Sequence, residues 1–164
     1  MMGFIIGIET ITGQEIPFWF TNSDSKALRH QLLTFEEYDD EPLYKIANHF
    51  HLNLEALSQS KIVYTENETL EDIIAMYSNN QERIEDWHKR QAQREAAWQS
   101  PKIIVNTLTL LINTLESHPD IFSDLKIEDP YFTHGSFRQD ALDMVKMLEW
   151  CITNKIEKVR ITLV

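Results

Sequence analysis

Glu36-Glu37-Tyr38-Asp39-Asp40-Glu41 sets five carboxylates within six consecutive residues, with no cation among them. Such a block repels itself, so it is solvated, holds a metal or meets a basic partner. A calcium loop alternates its oxygen ligands around a glycine and closes with a distal Glu. This block has neither the glycine nor that spacing. Two readings remain: a solvated connection between helices, and a surface that draws in a basic partner by long-range attraction. The second makes Glu36, Glu37, Asp39, Asp40 and Glu41 the candidate partner-binding carboxylates, with Tyr38 as an aromatic anchor among them. A further acidic group, Glu66, Glu68, Glu71 and Asp72, surrounds a helix start at Thr69. There the helix dipole favours carboxylates, and capping accounts for them.

The six histidines form no metal motif. His49 and His51 are a close pair, but on a helix the i, i+2 spacing turns their rings to different faces. Neither H-E-x-x-H nor C-x-x-C occurs. The nucleophile elbow, the P-loop and the dinucleotide glycine motif are also missing. His134-Gly135-Ser136 is inviting, yet three adjacent residues seldom converge on one reacting atom, and Ser136 reads as a helix cap. Cys151 lies in an apolar helical stretch with Met147, Leu148, Trp150 and Ile152, where a thiol behaves as a small hydrophobe. No catalytic residue, metal or cofactor is therefore expected. The competing possibility is a small hydrolase or transferase whose Asp, Glu and His are gathered from distant positions by the fold.

The elements that must position these groups follow from periodicity. Phe4–Thr10 and Ile16–Phe20 are β-branched and aromatic runs around Gly13, which predicts an antiparallel hairpin with Pro17 at an edge or bulge. Ser23 and Asp24 offer caps for a helix through Leu33. A helix over Pro42–Phe50 has Leu43, Ile46, Ala47 and Phe50 on one face. Short pieces follow, a helix at Leu54–Ser58 and a strand at Lys61–Thr65. The stripe Leu70, Ile73, Ile74, Tyr77, Ile84, Trp87 and Trp98 predicts helix from Thr69 to Trp98, broken at Asn79-Asn80. Ser100-Pro101 opens a helix through Leu115 that stops before Pro119. After an irregular stretch, a last helix spans Phe137–Asn154, and Val159–Val164 alternates as a half-buried strand. The fold expected is a single α+β domain over residues 1–164. A small antiparallel sheet, made of the N-terminal hairpin and the C-terminal strand, packs with a helical middle of about four to six helices.

Composition narrows the function. A chain of 164 residues with 43% hydrophobic and 25% charged residues can bury a core without a disulfide or metal. Its net charge of −11 opposes general nucleic-acid binding, whose affinity comes from cations neutralising phosphates, and opposes an anionic membrane surface. Met1 to Glu9 is apolar but lacks a basic leader and a small-residue cleavage site, so it reads as a strand, and a cytoplasmic location is expected.

Two stretches carry resemblances to three known families. Leu43 to Ser58 resembles the helix-turn-helix of DNA-binding repressors, with Ile46, Ala47, Phe50, Leu52, Leu57 and Ser58 at its packing positions. It departs from that pattern at His51, where the turn glycine would stand, and in a second helix that carries Glu55 and no Arg or Lys before Lys61. The same stretch is similar to the first half of a LysM glycan-binding module, without the second half. Asp129-Pro-Tyr-Phe-Thr-His-Gly-Ser-Phe-Arg-Gln-Asp140, followed by Met147-Leu-Glu-Trp150 and the strand Val159–Val164, resembles small immunity proteins of bacterial polymorphic-toxin systems. That resemblance implies a protein that binds and neutralises a cognate toxin. Together with the acidic block it gives the expectation carried forward: an acidic cytoplasmic protein that inhibits a basic toxin domain through residues 36–41.

Overall fold

The computed structural model describes residues 6–22, 26–63 and 69–164. Phe4 and Ile5 of the expected first strand, the caps Ser23 and Asp24, Tyr64 and Thr65 of the short strand, and Glu66 and Glu68 lie outside the described residues.

Val159–Leu163 (β3) is the middle strand of a three-stranded sheet ordered β1-β3-β2. Its alternation explains that place, since Val159, Ile161 and Leu163 are all fully buried. Ile6–Thr10 (β1) runs antiparallel to it, with Ile8 opposite Ile161. Lys61–Val63 (β2) runs parallel on the other side, with Ile62 opposite Thr162. Glu9 and Arg160 face each other across β1 and β3, and the Arg160 guanidinium grips both oxygens of Glu9 at 3.0 and 3.1 Å. The same guanidinium lies 4.1 Å from the ring of Trp98, so a cation–π contact continues the pair.

The expected hairpin does not form, and the sheet is mixed instead of antiparallel. Gly13 does make its turn, with φ +77° and its N–H on Thr10, but residues 16–20 leave the sheet. Pro17 lacks the N–H that a ladder requires. Trp19 packs against Gly7 so closely that a Cβ there would stand 3.3 Å from its ring. Phe18 lies under the Lys146 ammonium at 4.9 Å. Among the described residues, the ladder that β1 makes is its long-range pairing with β3.

The helices are α1 (Lys26–Thr34), α2 (Pro42–Phe50), α3 (Glu55–Gln59), α4 (Leu70–Tyr77), α5 (Gln81–Ala96), α6 (Pro101–Ser117), α7 (Ile121–Asp124), α8 (Pro130–Thr133) and α9 (Ser136–Thr153). Nine among the described residues exceed the four to six expected. Single-turn helices α7 and α8 fill the stretch read as irregular, too short to show a period. The break at Asn79-Asn80 is present. Asn79 takes φ +58°, and the Asn80 side chain accepts the N–H of Arg83 to cap α5.

Helices α6 and α9 pack together to form the core, through Ile104, Leu108 and Leu111 on one and Phe137, Met144, Met147, Leu148 and Cys151 on the other. Ser136 does not cap α9. It is the first helical residue, and the N-cap is Gly135 at φ +85°, a left-handed turn that glycine adopts without steric cost.

Candidate functional site

The acidic block forms the connection between α1 and α2. Two backbone turns shape it: Glu37 N–H donates to the Thr34 carbonyl at 2.9 Å, and Glu41 N–H to that of Tyr38 at 3.2 Å. Pro42 at the first position of α2 ends it, where a missing N–H costs nothing. The loop is thus a short, pinned segment.

The fold divides the six candidate residues. Glu37, Tyr38, Asp39 and Asp40 are exposed together, and Tyr38 leaves 55% of its surface in water. Glu36 is exposed but stands 4.0 Å from the Lys61 ammonium. Glu41 turns inward, its side chain 17% exposed, with His30 Nε2 at 3.5 Å and Gln31 Nε2 at 3.5 Å. The sequence shows no cation inside the block, yet the fold brings the Lys61 ammonium from β2 to one end and the His30 ring from α1 to the other.

Lys61 is itself tightly placed. Its ammonium donates to the Leu32 carbonyl at 2.6 Å and lies 5.2 Å above the Phe35 ring. Burial pulls its pKa below the ordinary lysine value, and Glu36 and Glu37 act in the opposite sense. The loop carboxylates therefore help to keep a half-buried ammonium charged. Beside the loop runs an open groove of about 510 Å³, walled by Phe35, Tyr44, Ala47 and Leu54 with Glu36, His51 and Glu55 along it. It follows α2, the turn and α3, the stretch that resembles a helix-turn-helix. His51 makes that turn in place of glycine, at φ +54°.

The histidines scatter. His49 packs edge-on against Phe50, and Phe50 in turn meets His118 at 4.6 Å. Among the described residues, no group of three or more His, Cys, Asp or Glu is placed to hold a metal ion. Cys151 is fully buried, and burial pushes its thiol up to about 11.

A polar cluster in the core escaped the sequence. Asp140 and Asp143 on α9 are buried. Asp140 accepts from Tyr131 Oη at 2.6 Å and from Asn22 Nδ2 at 2.8 Å. Asp143 accepts from both the N–H and the hydroxyl of Thr21, each at 2.9 Å, and from Gln139 Nε2 at 2.9 Å. These bonds fasten residues 21–22 and α8 to α9, which is structural work for two buried carboxylates. The available signal was their position, since both acids flank Ala141 and Met144 on the apolar side of the helix.

Among the described residues, no helix is long and apolar enough to cross a membrane. No family model, no curated protein and no solved structure matches this chain.

Proposed function

We propose that this chain is an acidic cytoplasmic binding protein that neutralises a cognate basic toxin domain by direct contact, as small immunity proteins of bacterial polymorphic-toxin systems do. The observation that supports this reading best is the shape of the 36–41 loop. Three carboxylates (Glu37, Asp39, Asp40) and an exposed tyrosine are held outward on a pinned turn, while Glu36 and Glu41 anchor its ends. A toxin that engages nucleic acid must display cations, and an outward acidic loop attracts such a surface over a Debye length before contact. Tyr38 adds a rigid amphipathic side chain that costs little entropy to immobilise. The buried carboxylates at Asp140 and Asp143 are held by donors of the chain's own backbone and side chains, a structural role that supports looking for recognition among the surface acids. Association kinetics test the reading. Glu37→Gln, Asp39→Asn and Asp40→Asn combined should slow association with the toxin about tenfold or more at low salt and flatten its salt dependence. An unchanged rate would remove the loop from the binding face.

A further inference from the structure

Tyr44, Ala47, Asn48 and His51 stand at i, i+3, i+4 and i+7, one face of α2 continued into its turn, and together they line the 510 Å³ groove beside the acidic loop. Leu43 and Ile46, on the other face, go to the core. Leu54, Glu55 and Ser58 bring in α3, and Phe35 and Glu36 continue the lining into the loop. We propose that this groove seats an arginine presented by a protruding segment of the basic partner. The choice of a protein partner rests on reading residues 36–41 as a partner-facing loop, with which the groove shares Glu36.

Charge supplies the first part of the case. Glu36 and Glu55 line the groove, and among the described residues neither Lys nor Arg does. Glu36 is already shared with Lys61 at 4.0 Å, so Glu55 is the principal acceptor. Gln59 Nε2 donates to Glu55 Oε1 at 2.7 Å, which orients the carboxylate. A carboxylate has about four acceptor sites, so an incoming guanidinium can add to it. The same two acids oppose a phosphate, which favours a cationic side chain over a nucleic acid.

The walls supply the second part. Ala47, Leu52 and Leu54 give the lining apolar surface, which suits the methylene stem of a long cation whose head stays with the acids. Arginine is favoured over lysine by shape. The Tyr44 ring, 37% exposed, offers a face on which a planar guanidinium stacks. Asn48 and Asn53 add amide oxygens to the lining, acceptors for a fork of five donors that an ammonium would leave partly unused.

The test is amide NMR of the isotope-labelled full chain, titrated with the blocked tripeptide acetyl-Gly-Arg-Gly-amide at about 0.15 M salt, where long-range attraction is screened. Saturable shifts over residues 44–55 are expected. Citrulline in place of arginine keeps the shape without the charge, and affinity should fall about fivefold or more with that change, as it should with Glu55→Gln. The citrulline comparison uses the unaltered chain, so it stands even if the variant does not fold. Absence of saturable shifts, shifts confined to residues 37–40, or equal binding of the citrulline peptide would overturn the proposal. So would lysine binding as tightly as arginine, or a folded Glu55→Gln with unchanged affinity. The tripeptide reports on the groove without any toxin present. Failure of the arginine site is therefore read from these shifts, and failure of the loop from the toxin's association rate.

Discussion

Asp140 has none of its surface in water, and a buried carboxylate is tolerable only while donors surround it. Tyr131 is one of those donors, and its phenol is pushed far above the ordinary tyrosine value, by burial first and then by the bond to Asp140. In the folded chain Tyr131 therefore stays protonated where an unfolded tyrosine ionises, near pH 10. Its contribution is intact below about pH 10 and declines above, because unfolding then releases a proton. Tyr131→Phe should cost about 1–3 kcal/mol at neutral pH by taking a donor from a buried acid. In urea titrations from about pH 8 to about pH 11, it should also lose stability less steeply than the wild type. A parallel decline in both proteins would show that Tyr131 does not carry the alkaline loss. Cys151 gives a second check at this scale. Its thiol is buried and raised to about 11, so iodoacetamide at about pH 8 should leave the native chain unmodified and alkylate it in urea. Prompt modification without denaturant would mean that the α6–α9 core opens readily.

At the scale of elements, the start of α9 separates two explanations of one sequence. Ser136 carries the residue type of a cap, but Gly135 holds the position, at φ +85°, with open space where a Cβ would go. Gly135→Ala should therefore cost about 1 kcal/mol through backbone strain alone. Ser136→Ala should stay within about 0.5 kcal/mol. Chemical denaturation of the two variants checks this, and the reverse order would return the cap to Ser136. Elements with their own period and punctuation were legible. Pro42–Phe50 emerges with the expected bounds, and Ser100-Pro101 and Asn79-Asn80 mark the ends they were expected to mark. The hairpin was not legible, because β1 has the alternation of a strand but nothing in it says which strand will pair with it. That choice belongs to Leu163, Ile161 and Val159, more than a hundred residues away along the chain. Helices α7 and α8 were missed because one turn has no periodicity to read.

Across the whole molecule, the sheet gathers both ends of the described chain around β3, and its buried residues belong to the same hydrophobic core as those of α6 and α9. The acidic block was visible in the sequence as composition. Its division into an outward face and two anchored ends was not, since Lys61 and His30 reach it from other elements. That division changes how the block is best tested. Removing all five acids would also take Glu36 from Lys61 and Glu41 from His30, whereas Glu37, Asp39 and Asp40 can be neutralised with those anchors kept.

The most direct measurement is a pull-down from the protein's own host, with tagged wild type and the Glu37→Gln, Asp39→Asn, Asp40→Asn variant compared at low and high salt. The expected result is one basic protein held near one-to-one by the wild type, released by salt, lost from the variant, and inactivated when the purified wild type is added back. A partner retained equally by the variant, or no protein that distinguishes the two baits, would contradict recognition through this loop.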